Sequence, residues 1–594
     1  MLYVSNRSKL GSPHIVHVAR ECAEIAAAGG VGDVVLQLAL ESARSGLKTT
    51  IILPHYGPHQ RDTVRETAAK LAPALPWPRA RVRVPEPLEF EIPMAYAEAP
   101  ERVESARVET IVFEGRAQLT VALVVADRFT GKERPYTYTA AEAKAILLAP
   151  PGTETVCGAE IPPPEFPVEE GHGHFDYFAM NVLLQRAALA WMEQTCDSPL
   201  VIHCHDAHTA MLPMIARHAD PPSPCADSGF VVTAHNCGKA YRQRCADLRF
   251  VAAVSGTPFA AIAQCVIETE FDPFGAAALY ADHLTTVSDG YAWEVQRAWM
   301  PTSGGDEEIV GFSQFLAKNG VRIRGIPNGI SADRKGPKAL RGEIGRAALQ
   351  TDDFGWKPEF RKRFVHRVSR ATMPKKWGIG PNCRHGHLKR LAPDGPLFTF
   401  VGRWTDQKGV DIVLCAAREV LQLHPEAGLC IFGEGSQSFV LSDMLELADE
   451  FQGRVVVVKG FSDVLARSIY AAGDFFLVPS RFEPCGLIDM IAQLNGNIPI
   501  VNQVGGLAKV VDGVTGIGYF ATNDRTNMRG LVQGMRRAIA LHADEPSRTR
   551  VQRAASRAVR DNYNWKSVFR RYAPLYGISL PTTQRNSRQP ALQS

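Results

Sequence analysis

Short apolar runs recur along this chain, and each ends in a glycine or polar break before residues with helical spacing begin. The first half carries "HIVHVA", "TTIILPHYG", "PLVIHCHD", "GFVVTAHN" and "HLTTVS". The second carries "LFTFVGR", "GLCIFGEG", "RVVVVKGF", "DFFLVPS" and "IPIVNQVGG". Strands that alternate with helices predict parallel sheets joined by crossover helices, an α/β class. The chain has 594 residues, and single cores stop growing near about 250–300 residues, so more than one domain is expected. Two doubly wound halves facing a cleft fit this pattern, with ligands at the carboxyl ends of the strands. Between the two sets, residues 331–395 are polar, basic and short of strands. The change of domain is placed near Gly325–Asn328, giving domains over 1–326 and 327–580 and a frayed tail over 581–594.

Basic and acidic residues nearly balance, 66 against 62, for a net charge of +4. Nothing global therefore attracts nucleic acid or a membrane surface, and any anionic ligand needs local cations. Twelve cysteines lie scattered without a disulfide rhythm, which predicts reduced thiols and a cytoplasmic setting. The first twenty residues lack the apolar core and cleavage site of a signal peptide. The longest uncharged run, "FVAAVSGTPFAAIAQCVI" from Phe250, is broken by Ser-Gly-Thr-Pro and reads as buried elements or a loop, not a membrane span. "EFRKRFVHRVSR", from Glu359, reads as a solvated helix face.

Four constellations carry chemistry. In "GRWTDQKG", Arg403 and Lys408 leave a strand end as one guanidinium fork and one point charge, which suits a departing diphosphate. A solvated loop with two surface cations is the alternative. In "AAAGGVGDVV", Gly29, Gly30 and Gly32 allow close backbone approach in front of a helix N-terminus. The spacing is not that of a dinucleotide fingerprint, and a structural tight turn reads equally well. In "VIHCHDAHTAML", His203, Cys204, His205, Asp206 and His208 suggest a metal, but successive strand residues point to opposite faces, so the set cannot all converge. The nearest second group, His172 and His174, has no matching ligand spacing. A strand-end histidine donating to a sugar hydroxyl or a main-chain carbonyl fits better. In "VPSRFEPCGLIDM", Glu483 stands before a helix where it could act as a cap. Pro484 stiffens that loop, Cys485 and Gly486 admit a ligand to the amides, and Arg481 lies nearby. Gly505 and Gly506 follow the next strand, ready to approach a phosphate.

Taken in order, these segments resemble the bacterial glycogen synthase and plant starch synthase family, retaining glucosyltransferases of the GT-B fold. "VPSRFEPCGL" and "GRWTDQKGVDIVL" match nearly residue for residue, and "GGLAKVV" stands at the family's Gly-Gly-Leu turn. "IVHVARECAEIAAAGGVGDVV", "ILPHYG", "HCHDAHTAML", "VVTAHN", "YADHLTTVSDGYAWEV" and "GIPNGI" follow in family order. The match runs from about His14 to Leu580 and is weakest over 60–170, 237–275 and 331–390. The resemblance implies a nucleotide-sugar donor, ADP-glucose being the bacterial norm, an α-1,4-glucan acceptor, and neither metal nor other cofactor. It also implies no nucleic-acid or membrane partner. Carried over, His205, Arg403, Lys408 and Glu483 form the catalytic set, with the two cations on the diphosphate and Glu483 on the glucose hydroxyls. The implied binding set is Gly29, Gly30, Asp33, Asp206, Asn236, Cys485, Gly486, Leu487, Gly505 and Gly506.

The chain also departs from the family. Ala27 stands where synthases carry the lysine of Lys-x-Gly-Gly, Ile488 and Asp489 replace Thr-Gln, and Ala207 replaces a tryptophan. After "HN", the family's Tyr-Gln-Gly becomes "CGKAYRQ", whose Lys239 is placed to return the missing charge. Related GT-B enzymes often carry a second glutamate eight residues after the first; here that position is Ile491. Same-face attack, with the leaving diphosphate accepting the proton, is therefore the expected chemistry. Two other readings share the fold: a different acceptor or sugar, and a silent relative that binds glucan or nucleotide sugar.

Overall fold

The computed structural model describes residues 12–57, 63–77, 79–95, 103–149, 155–156, 159–160, 168–196, 200–300, 307–340, 354–435 and 438–579. The expected tail over 581–594 lies outside them. All ten apolar runs form strands. The strands His14–Val18, Leu200–His205, Leu397–Val401 and Phe475–Val478 are buried from end to end. Parallel strands covered by helices on both faces have no solvent side, which is why these runs lack a two-residue alternation.

The first sheet has ten strands, ordered Ile323–Gly325, His283–Thr286, Gly229–Ala234, Leu200–His205, His14–Val18, Thr49–Pro54, Gln118–Val125, Val103–Glu114 and Arg81–Arg83, with Leu88–Pro93 also on Val103–Glu114. It is parallel through Gln118–Val125 and antiparallel beyond. The second sheet orders its seven strands as Arg384–Gly386, Val455–Lys459, Gly428–Gly433, Leu397–Val401, Phe475–Val478, Ile498–Asn502 and Ile517–Tyr519. Chain order reverses between His14–Val18 and Leu200–His205 in the first sheet, and between Leu397–Val401 and Phe475–Val478 in the second. Doubly wound sheets bind ligands in the crevice opened at such a reversal. The glycine turn and the histidine cluster leave the first pair of strands, and Arg403, Lys408 and Glu483 leave the second.

The last elements return to the first sheet. The helix Trp565–Tyr572 and the turn Ala573–Tyr576 bury Trp565, Val568, Phe569, Tyr572 and Tyr576 against Ile15, Val34, Leu38, Val201 and Val231. Burying each large apolar side chain stabilises by roughly 1.5–3 kcal/mol, so this crossing ties the end of the chain firmly to the first sheet. Arg571 reinforces it with two bonds to Asp289, at 2.6 and 2.9 Å.

One expectation holds only in part and another holds. The helix Lys357–Val368 is solvated on one face only: Glu359, Lys362, Arg363 and His366 are exposed, whereas Lys357, Phe360, Arg361, Phe364 and Val368 are buried. Lys357 donates to the carbonyls of Ala471, Gly473 and Asn495, and Arg361 pairs with Asp474. Charged heads satisfied by carbonyls and a carboxylate let a basic sequence sit inside. The uncharged run from Phe250 falls within the helices Leu248–Ser255 and Phe259–Gln264 and the strand Val266–Ile267. No described helix is long and apolar enough to cross a membrane.

Candidate active site

Two loops of the second sheet interlock. Gly409 takes φ 65°, and a Cβ there would come within 2.5 Å of the Pro479 carbonyl, so the loop after Leu397–Val401 lies against the loop after Phe475–Val478. Arg481 N–H donates to the Gln407 carbonyl at 2.9 Å, and Gln407 Nε2 donates to the Phe482 carbonyl at 3.3 Å. This stitching brings Lys408 Nζ to 2.5 Å from Glu483 Oε2, with both side chains largely buried. Ser480 Oγ donates to the same oxygen at 3.3 Å. Arg403 stands apart and exposed, its guanidinium 3.5 Å from Gln407. Arg481 is engaged by carboxylates: it bonds both oxygens of Asp411, at 3.0 and 2.7 Å, and Asp524 at 2.8 Å.

Glu483 is not a helix cap. The helix Leu487–Leu494 is capped by Gly486, at φ 73°, where a Cβ would meet Asp489, Leu507 and Lys509, each at 2.8 Å. Only glycine fits. The first-turn amides of this helix have no carbonyl four residues back, and they form a partial positive end. Burial pushes the Cys485 thiol up to about 11, so it stays protonated. The amides of Gly505 and Gly506 are already taken, by Glu294 at 2.6 Å and by the Glu483 carbonyl at 2.7 Å. Their close approach is thus to the Glu483 loop, which they clamp from behind.

In the first lobe the helix Gly30–Arg44 begins at the glycine turn, with Asp33 in its first turn. Glu21 Oε2 accepts from the amides of Ala28 and Gly29 at 2.7 and 2.8 Å, and its Oε1 accepts from Tyr136 at 3.1 Å. That leaves Gly30 as the open face of the turn. A Cβ on Gly30 would lie 3.7 Å from Leu487 Cδ1 of the other lobe, so the turn and the helix start face each other. The lobes also meet where Ser288 Oγ donates to the Pro484 carbonyl at 2.6 Å, and where a Cβ on Gly290 would run into Gly505.

His205 is central to a buried chain of imidazoles. Its Nε2 lies 3.1 Å from His17 Nδ1 and its Nδ1 lies 3.3 Å from His235 Nε2. His203, two residues earlier on the same face, bonds Tyr576 and Thr233, both at 2.7 Å. Burial first, then the neighbouring imidazoles, holds His203 and His205 well below the usual histidine range, so both are neutral at physiological pH. His17, His203 and His205 bring ring nitrogens within 4.8 Å of one another, close enough to share a metal. The third member comes from another strand, paired residue for residue with His203. Both nitrogens of His203 and of His205 already have hydrogen-bond partners, which a metal would have to displace. His208 instead stacks on Tyr136, with centroids 4.9 Å apart.

Asp206 follows with φ 66°, an uncommon conformation for a residue with a side chain. Burial raises its carboxyl to about 7, against the pull of amides from His235, Ala207 and Asn236. Asn236 Oδ1 accepts from Gly238 at 2.9 Å. Lys239 does not reach the glycine turn: its ammonium sits 3.0 Å from Glu268.

The expected residues thus fall into two groups, one on each lobe, and among them Gly30 and Leu487 approach each other between the lobes. Sequence reading missed His17, Glu21, Glu294 and Lys509, whose roles depend on partners distant in the chain. Nor did it single out Phe461, which is 80% exposed just beyond the carboxyl end of Val455–Lys459. An exposed aromatic after "RVVVVKG" was the available signal.

Residues 14–154 and 167–308 match the family model of the starch synthase catalytic domain, and residues 395–540 that of glycosyl transferases group 1. The chain is 31% identical over 414 residues to glycogen synthase 2 of Geobacter sulfurreducens, covering 67% of this chain and 75% of that one. It is 27% identical over 572 residues to the glycogen synthase of Geobacillus stearothermophilus, covering 95% and 97%. Among solved structures, the catalytic domain of starch synthase IV from Arabidopsis thaliana bound to ADP and acarbose matches with a TM-score of 0.66 at 22% identity, covering 96% of this chain and 99% of that one. That likeness is one of fold. With relatives of this identity and coverage, and with both lobes matched in order, the chain belongs to the glycogen and starch synthase family of GT-B glycosyltransferases.

Proposed function

We propose that this protein transfers glucose from ADP-glucose to the non-reducing end of an α-1,4-glucan, with retention of configuration. The supporting observation is the convergence at the second sheet's reversal point. Arg403, Lys408 and the amides at the start of Leu487–Leu494 leave adjoining strands, and Gly30 faces Leu487 from the other lobe. Two cations and a helix N-terminus suit a nucleoside diphosphate. The ADP in the starch synthase IV structure favours the adenine nucleotide.

Arg403 and Lys408 hold the diphosphate in this reading. Glu483, released from Lys408 as that ammonium turns to the phosphate, accepts from glucose hydroxyls. His205 reaches the sugar by exchanging its longer bond, the one to His235. The bond from the anomeric carbon to the phosphate oxygen breaks as the acceptor oxygen bonds the same face, and the acceptor proton passes to the departing phosphate. The second-glutamate position is Ile491, an apolar residue packed at the lobe junction, which supports a route without an enzyme ester. The domain division at 326–327 is part of the proposal, with the final helices serving the first lobe.

Phe461 is the expected platform for the base. Base–aromatic stacking contributes about 1–3 kcal/mol, so Phe461→Ala should raise KM for ADP-glucose about tenfold while leaving kcat within twofold. An unchanged KM would remove Phe461 from the donor site. Transfer itself is tested by ADP release from ADP-glucose with and without glycogen. Glycogen-dependent release is the expected result. Release that needs a different acceptor would replace the glucan, and donor binding without release would point to the silent relative.

A further inference from the structure

Behind the donor loop lies a charge that the mechanism above does not use. Lys509 extends its ammonium beneath Gly486, where its three N–H groups are shared among four acceptors: the carbonyls of Cys485 and Gly486 at 2.7 Å each, that of Gly506 at 2.8 Å, and Asp489 Oδ1 at 3.0 Å. Asp489 is fully buried, and its Oδ2 accepts from Gln493 at 3.2 Å. The Cys485 carbonyl shares a peptide unit with the Gly486 amide, and the Gly486 carbonyl shares one with the Leu487 amide. A cation bonded to a peptide oxygen draws electron density from its nitrogen and makes that N–H a stronger donor, more so at low local dielectric.

We infer that Lys509 is a positioning residue that strengthens the Gly486 and Leu487 amides toward the departing diphosphate, with Asp489 setting how much of its charge those amides feel. The inference rests on the donor site proposed above. Lys509 touches neither sugar nor phosphate; it acts through the loop. Its effect grows with the charge on the leaving phosphate, so it belongs to turnover more than to donor binding. A purely structural ion pair has another signature: removing either partner harms the fold, and activity falls along with it.

The two partners therefore predict changes of opposite sign. Lys509→Gln keeps polar contacts but removes the charge. In the full-length protein it should lower kcat by about tenfold or more while KM for ADP-glucose stays within about threefold. Asp489→Asn keeps the shape and the bond to Lys509 but removes the opposing charge, and it should raise kcat by up to about threefold. ADP affinity by calorimetry reads the same amides without turnover: Lys509→Gln should weaken it and Asp489→Asn should not. Loss of kcat in both variants with a parallel fall in Tm, or a Lys509→Gln enzyme with wild-type kcat and ADP affinity, overturns the inference while leaving the donor site standing. A wild-type protein that neither binds ADP nor releases it from ADP-glucose removes the donor site, and this inference with it.

Discussion

Arg403→Ala and Lys408→Ala are each expected to lower kcat by about 100- to 1,000-fold, the usual effect of removing one donor from a developing negative charge. The two should differ in stability. Arg403 is exposed and, among the described residues, rests on Gln407 at the limit of hydrogen bonding, so its loss should leave Tm nearly unchanged. Lys408 neutralises Glu483 at 2.5 Å, where the two side chains are only 13% and 10% exposed. Removing the lysine leaves a buried carboxylate unpaired, a change that typically destabilises by about 3–5 kcal/mol. A Lys408→Ala/Glu483→Gln double variant should therefore recover much of the lost Tm without recovering kcat. Thermal melts beside steady-state kinetics separate the two effects. If the double variant regains turnover, the lysine's role is to hold Glu483 and not to grip the leaving group.

Ala27→Lys is expected to raise kcat by about 30-fold or more, corresponding to the roughly 2–4 kcal/mol assigned to one transition-state contact. The turn at Gly29–Gly30 is exposed, with Ala27 and Ala28 beside it. Among the described residues around this turn, the cations are committed elsewhere. Arg20 is buried on Tyr56, at 2.7 Å, and on Asn181, at 2.6 Å, and Lys239 pairs with Glu268. Meanwhile the carboxylate of Glu21 holds two amides of the turn. The first lobe thus brings to the cleft less positive charge than the family pattern implies, and a lysine at 27 would restore it. Rates for wild type and variant at saturating ADP-glucose and glycogen measure the gain. An unchanged or lower rate would mean that this cleft has been rebuilt around the alanine, for a different acceptor.

Much of this was legible because parallel strands buried on both faces are dominated by apolar residues. Ten strands and the carboxyl-end position of every candidate could be read from short windows. Whatever depended on two distant segments could not. His17 joins His205 only because their strands are neighbours, and Tyr576 reaches His203 from near the end of the chain. The antiparallel edge over Arg81–Val125 lies where the family pattern is weakest, so neither the motifs nor the resemblance gave its form. Asp489 looked like a loss beside the family's Thr-Gln; only folding places Lys509 against it. The basic run around Arg361 was read correctly for Lys362, Arg363 and His366, which are exposed, but not for Arg361, whose carbonyl and carboxylate partners are distant in the chain.

Diffraction from crystals soaked with ADP-glucose or ADP tests the central claim most directly. The expected result places the diphosphate within about 3.5 Å of Arg403, Lys408 and the amide of Leu487, the base on Phe461, and Glu483 turned from Lys408 toward the hexose. A nucleotide bound elsewhere, or one bound between the lobes with the Lys408–Glu483 pair intact and neither cation on phosphate, would contradict it.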